Sequence, residues 1–89
     1  MVRDLANALA ALGDAGTADD FIRAILTPRE LDKIALRWRL LKLLKAGHSQ
    51  RRIAEELGVS LCKITRGSRE LKRGPEGFHR IVEQMFGRP

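Results

Sequence analysis

The segment TPRELDKIALRWRLLKLLKAG, residues 27 to 47, constrains this chain more than any other. Thr27 is a capping residue, Pro28 suits a first helical position, and Glu30 is spaced to close a capping box, so a helix starts here. Gly47 ends it after about Ala46. Leu31, Ile34, Ala35, Trp38 and Leu41 form one stripe, yet Leu36, Leu40, Leu43 and Leu44 cover much of the remaining circumference. A helix that is apolar nearly all round belongs inside something. The 89 residues make one small domain with too few other helices to wrap it, so a homodimer sharing this helix in its core is expected. A monomer with an exposed apolar strip is the alternative, and large strips of that kind are uncommon.

Helical spacing recurs elsewhere, which makes the expected fold all-α. Leu5, Leu9 and Leu12 repeat over residues 3 to 12, and Gly13 and Gly16 stop that short helix. Thr17 reads as the next cap, with Asp19 and Asp20 in a first turn where acids suit the helix dipole. Phe21, Ile22, Ile25 and Leu26 give that helix its apolar side. Near the end, Gly74 terminates a helix and Pro75 suits the first position of another. Phe78, Ile81, Val82, Met85 and Phe86 make this last helix amphipathic, with its apolar side expected against a partner chain.

Between these lies SQRRIAEELGVSLCKITRGSREL, residues 49 to 71. Ser49 caps a helix that faces Ile53, Ala54 and Leu57 inward, Gly58 makes a tight turn, Val59 plugs the corner, and Ser60 caps a second helix anchored by Ile64 and Leu71. This is the pattern of a helix-turn-helix over about residues 49 to 73, with a purely structural helical hairpin as the alternative. Charge favours the first. Residues 28 to 73 carry thirteen basic and five acidic groups, net +8, out of +6 for the whole chain, so the excess sits where a polyanion would lie. The N-terminal half of the second helix would enter the major groove of double-stranded DNA with Leu61, Cys62, Lys63, Thr65 and Arg66. Lys63 and Arg66 suit guanine acceptors and Leu61 a thymine methyl, while Gln50 and Arg51 suit phosphates. Ser68 and Lys72, further along that helix, complete the DNA-facing set. Arg52, Lys42 and Lys45 read as solvated surface charges, and Cys62 as a residue small enough to fit.

Other classes find little purchase. One cysteine cannot form an internal disulfide, no Cys and His spacing suits zinc or another metal, and a cytoplasmic protein without a membrane segment is expected. His48 and His79 have no nucleophile or paired carboxylates in motif spacing, so no catalytic residue is expected. Trp38 and the three phenylalanines all lie in apolar stripes, which leaves no stacking platform for single strands.

ILTPRE, ALRWRLLKLLKAGHSQRRIAEELGVS and KITRGSRELK together resemble the tryptophan repressor family over about residues 20 to 88, with ITRGS the most specific fragment. The resemblance implies a single domain over residues 1–89, a six-helix intertwined homodimer that binds a palindromic operator when its corepressor, L-tryptophan, is bound. It places the indole between Arg37 and Arg66, beside Gly67, with Thr27 holding the carboxylate. The Ala24 to Leu26 carbonyls of the second protomer would meet the ammonium group. An arginine plane stacks on a ring and pairs a carboxylate, and a missing side chain at Gly67 leaves room for a flat ligand. Such a ligand would set the angle of the reading head and shift the population toward the DNA-competent arrangement.

Three departures from the family pattern stand out. Glu70 takes a position close to the ligand's amino group where a small residue is usual. Its carboxylate either pairs with that group or pairs with Arg66 or Arg73 along the helix, and the second arrangement would close the pocket and make a ligand-independent regulator. The link from Arg37 to Ser49 is one residue shorter than in the best-known members. Cys62 and Lys63 alter the reading surface, so the operator sequence does not carry over. Outside DNA binding, the rival is a basic module that docks on an acidic protein.

Overall fold

The computed structural model describes residues 1–87, which fold into α1 (Val2–Ala10), α2 (Ala15–Ile25), α3 (Pro28–Lys45), α4 (Gln50–Leu57), α5 (Leu61–Arg73) and α6 (Glu76–Phe86). The all-α expectation holds for these residues. Two compact units, Met1–Lys33 and Ile34–Pro89, divide within α3.

In the first unit, α1 stops at Ala10, short of the expected end, and Leu12 N–H closes a single turn onto the Leu9 carbonyl at 3.2 Å. The expected cap at Thr17 is corrected to Asp14. The Asp14 carboxylate accepts from Thr17 N–H at 2.7 Å and from the Thr17 hydroxyl at 3.1 Å, so the helix starts at Ala15 with Thr17 inside its first turn. Asp precedes Thr here by one helical turn, and the earlier acceptor takes the free amide. Those hydrogen bonds hold the Asp14 carboxyl below its ordinary pKa. At Thr27 the box closes as expected: Thr27 N–H donates to Glu30 Oε1 at 2.9 Å, and Glu30 N–H donates to Thr27 Oγ1 at 3.1 Å. The Thr27 amide is the main cause that lowers the Glu30 pKa, followed by its hydroxyl. Neither α1 nor α2 has a buried residue, and Leu5, Leu9 and Ile25 are exposed.

The second unit has a core. Leu40, Ile53 and Ile64 are buried in contact, ringed by Leu43, Leu44, Ala54, Leu57 and Val59. Each fully covered aliphatic side chain contributes about 1.5–3 kcal/mol. Ser49 and Ser60 accept from the Arg52 and Lys63 amides at 3.1 and 3.4 Å, and Gly58 turns the chain at φ 66°, ψ 33°, a left-handed conformation that a Cβ disfavours. One face of α3 therefore supplies Leu40, Leu43 and Leu44 to this core, while Ile34 and Trp38 on another face remain exposed.

Pro75 departs from expectation. It is the N-cap of α6, with ψ 156°, and not its first helical residue; Gly74 does end α5, in an extended conformation. The last helix also departs in part from the expected packing on a partner, because Val82 is buried within this unit and Phe86 lies 4.5 Å, centroid to centroid, from Trp38. Lys45 pairs with Glu83 at 2.9 Å. Ile81 and Met85 stay exposed.

Candidate nucleic-acid interface

The helix-turn-helix geometry positions α5 from three sides. Ser60 fixes its start, Ile64 pins its first turn with no exposed surface, and His79 Nε2 lies 3.1 Å from the Glu70 carbonyl at its last turn. That carbonyl can only accept, so the contact is a hydrogen bond in the tautomer that carries a hydrogen on Nε2.

Gly67 supplies a fourth constraint. A Cβ at this position would lie 2.7 Å from Leu40 Cδ2, 3.4 Å from Leu44 Cδ1 and 3.6 Å from Leu41 Cδ2. The interruption in the apolar face of α5 is therefore where α3 comes closest, and leucine methyls fill the direction in which the sequence reading left room for a ligand.

The outward surface of α5 is basic. Leu61, Cys62, Lys63, Thr65, Arg66, Arg69, Lys72 and Arg73 are exposed, Ser68 is half-buried, and no acid occurs before Glu70. Gln50 and Arg51 are exposed in the first turn of α4. A shallow cleft brings Gln50 together with Thr65, Ser68 and Lys72, as well as Arg69 and Arg73. Arg51, Leu61, Cys62, Lys63 and Arg66 lie outside it. Arg69 and Arg73 were missed from sequence, although Thr65, Arg69 and Arg73 at four-residue spacing lie along one side of a helix. Thr65 has its donor committed, because its hydroxyl donates to the Leu61 carbonyl at 2.8 Å.

The expected ion pair between Glu70 and Arg66 or Arg73 is not formed: Arg23–Asp19, Lys45–Glu83 and Arg80–Glu76 are the pairs among the described residues. Asp19–Arg23 and Glu76–Arg80 place the acid four residues before the base, the favourable order on a helix, whereas Arg66 precedes Glu70 in the weaker order. Arg37 on α3 is exposed, with no ion pair among the described residues. Of the other expected ligand contacts, Ala24 is exposed in the last turn of α2, Leu26 is the half-buried C-cap of that helix, and Thr27 is exposed within its capping box. These three belong to the first unit and the arginines to the second.

Among the described residues, no group of His, Cys, Asp and Glu could hold a metal ion, and no helix is long and apolar enough to cross a membrane. A capped helical pair around a left-handed glycine, with a basic outer helix, places the chain in the helix-turn-helix class. Its family follows from comparison with known proteins. The family model described as "Trp repressor protein" matches residues 1–86, and the chain belongs to that family. Relatives named "Trp operon repressor homolog" include one from Photobacterium profundum, 44% identical over 55 residues, 61% of this chain and 53% of that protein. Another, from Vibrio vulnificus, is 42% identical over 71 residues, 78% of this chain and 70% of its own length. The chain thus spans about half to two thirds of the first of these relatives. The crystal structure of a TrpR like protein from Eubacterium eligens superposes with a TM-score of 0.79 at 31% identity, covering 94% of this chain and 87% of that one.

Proposed function

We propose that the protein is a homodimeric transcriptional repressor that binds a palindromic operator in double-stranded DNA, with L-tryptophan or a related indole or aromatic compound as corepressor, and controls aromatic amino-acid genes. The observation that carries the reading is α5 itself: a recognition helix capped, pinned and tied at both ends, with a cationic outer surface free of acids over Leu61–Arg69, in a chain of the Trp repressor family. Cations on such a helix suit phosphates and guanine edges. The dimer is supported by α1 and α2, in which no residue is fully buried, and by Ile34 and Met85, 46% and 57% exposed. Apolar surface of this extent calls for a partner, and a second copy supplies one.

For the corepressor, Arg37 and Arg66 are exposed and make no ion pair among the described residues, so their guanidinium planes are available to a flat ring and a carboxylate. Thr27 Oγ1 accepts from the Glu30 amide, and its hydrogen, which stabilises the Glu30 carboxylate, would have to turn to a ligand carboxylate to hold it. Ala24 and Leu26 keep the role of ammonium contacts from the second protomer, and Gly67 would meet the ring through its backbone. The ligand-independent reading relied on Glu70 holding Arg66, and the absence of that pair counts against it.

Calorimetric titration with L-tryptophan, indole compounds and other amino acids tests the corepressor: heat is expected with tryptophan or an aromatic relative, and none with any of them at millimolar ligand sinks that reading. Gel shifts across a salt series test the DNA partner, since a protein-docking module would show no sequence preference above competitor DNA. Arg66→Ala should abolish the ligand response and weaken DNA binding together. Gly67→Leu cannot serve as the ligand-specific control, because its side chain would run into Leu40.

A further inference from the structure

We infer that His79 is a positioning residue for the recognition helix: its Nε2–H donates to the Glu70 carbonyl and makes α6 a strut that sets the C-terminal half of α5 against α3. The inference rests on the DNA-binding function proposed above and adds a residue, outside the DNA-facing surface, on which DNA affinity depends.

The tie is surplus to α5 itself and acts only between helices. The Glu70 carbonyl already accepts from the Gly74 amide at 2.8 Å, the ordinary bond from four residues on, and its second lone pair faces His79 Nε2 at 3.1 Å. Removing the imidazole therefore leaves no orphaned carbonyl; what is lost is the link from α5 to α6. The corner between the two helices is tight. Only Gly74 and Pro75 separate them, and a Cβ on Gly74 would lie 2.5 Å from the Glu70 carbonyl oxygen and 3.1 Å from Phe78 Cδ2. Further along, α6 is held on α3: Glu83 pairs with Lys45 at 2.9 Å, and the Phe86 ring lies 4.5 Å from that of Trp38. His79, Val82, Glu83 and Phe86 recur at spacings of three and four, so these anchors run along one side of α6, with Val82 buried among them. That side joins the end of α5 to α3. Arg69, Lys72 and Arg73 are displayed from the half of α5 that the strut holds. Cations held in place before DNA arrives lose less freedom on binding than cations on a helix end that pivots.

The experiment compares the full chain with its His79→Ala, His79→Gln and His79→Asn variants. Glutamine carries its amide nitrogen about as far from the backbone as Nε2, whereas asparagine reaches only as far as Nδ1. Binding is measured at one salt concentration, with saturating L-tryptophan, to a duplex that the parent chain enriches from a random library. His79→Ala and His79→Asn should bind it roughly two- to tenfold more weakly, the worth of one hydrogen bond, and His79→Gln should stay within about twofold of the parent. Urea midpoints of the Gln and Asn variants should coincide, which separates positioning from stability. Without DNA, hydrogen exchange at the amides of residues 72–74 should be faster in His79→Asn than in His79→Gln. Equal DNA affinities for the Gln and Asn variants overturn the inference: both near the parent means no role, and both weak means packing in place of a hydrogen bond. Exchange at residues 72–74 that ignores His79→Asn overturns the tie itself, with DNA binding intact. Selection that enriches no sequence overturns the proposed DNA-binding function, and the role of His79 in affinity with it.

Discussion

Replacing Gly67 by alanine sets two effects of known sign against each other. Alanine is favoured over glycine in a helix interior by about 0.8–1.0 kcal/mol, so an unobstructed substitution would stabilise α5. The site is obstructed: the new Cβ would sit 2.7 Å from Leu40 Cδ2, with Leu44 and Leu41 methyls at 3.4 and 3.6 Å. Carbon atoms prefer separations of about 3.5–4.0 Å. Leu40 is 5% exposed and packed with Ile53 and Ile64, so it cannot swing into solvent. Overfilling such a site costs about 1–3 kcal/mol, which leaves Gly67→Ala between neutral and about 2 kcal/mol destabilising. Gly77→Ala is the matched control, because Gly77 lies in the first turn of α6 with nothing within 4 Å of its Cβ position and reports propensity alone. Urea unfolding followed by circular dichroism, at matched protein concentrations, reads the gap between the two variants. With a slope of about 1–3 kcal/mol per molar urea, a 2 kcal/mol gap separates the midpoints by about 1 M. A Gly67→Ala midpoint equal to or above that of Gly77→Ala would refute the close approach of α3 and α5. Adding Leu40→Ala to Gly67→Ala should show favourable coupling, since the cavity accepts the new methyl.

Gly58→Ala meets no atom within 4 Å, so its cost comes from the left-handed backbone alone, about 1–2 kcal/mol by the same unfolding assay. Glu30 should titrate below 4.5 by carboxyl NMR, and Thr27→Ala, which removes the hydroxyl and leaves the amide, should bring it only part of the way back. Because the folded pKa values of Glu30 and Asp14 are lowered, their contribution to stability is present above the unfolded value, near 4, and is lost as pH falls through the folded one; acid unfolding that ignores Thr27→Ala would count against this. Sedimentation should give twice the 10.0 kDa chain mass, and Ile34→Glu combined with Met85→Glu should shift it toward one chain.

Much of the fold was legible because its signals are local. Thr27, Pro28 and Glu30 form a cap within four residues, and Ser49, Gly58 and Ser60 mark the helical pair by their own chemistry. Where two residues compete for one role, sequence chose wrongly: Asp14 and Thr17 are both capping residues, and only the path of the backbone decides which carboxylate or hydroxyl meets the free amide. Pro75 fits both the cap and the first helical position, which differ in ψ alone. The candidate surface was legible where residues announce a base or phosphate chemistry, as with Lys63 and Arg66. Arg69 and Arg73 are two cations among seventeen, and their significance depends on Gln50 of α4 standing beside them. Gly67 was recognised as an interruption, but its partner, Leu40, lies 27 positions earlier and no helical spacing connects the two.

The same contacts constrain how the proposed corepressor can act. Within its unit α5 is held at its start by Ser60, along its length by Ile64 and by the approach of Gly67 to Leu40, and at its end by His79 on the Glu70 carbonyl. Packed interiors change between discrete arrangements and do not deform smoothly, so a ligand beside Arg66 has little scope to bend this helix or alter which side chains it displays. The Thr65 hydroxyl, donating to the Leu61 carbonyl, ties that side chain to the backbone of the same helix. A ligand on the proposed arginines would therefore set whether two such bodies in a dimer are presented at the spacing of an operator, while the bases they prefer remain a property of α5 alone.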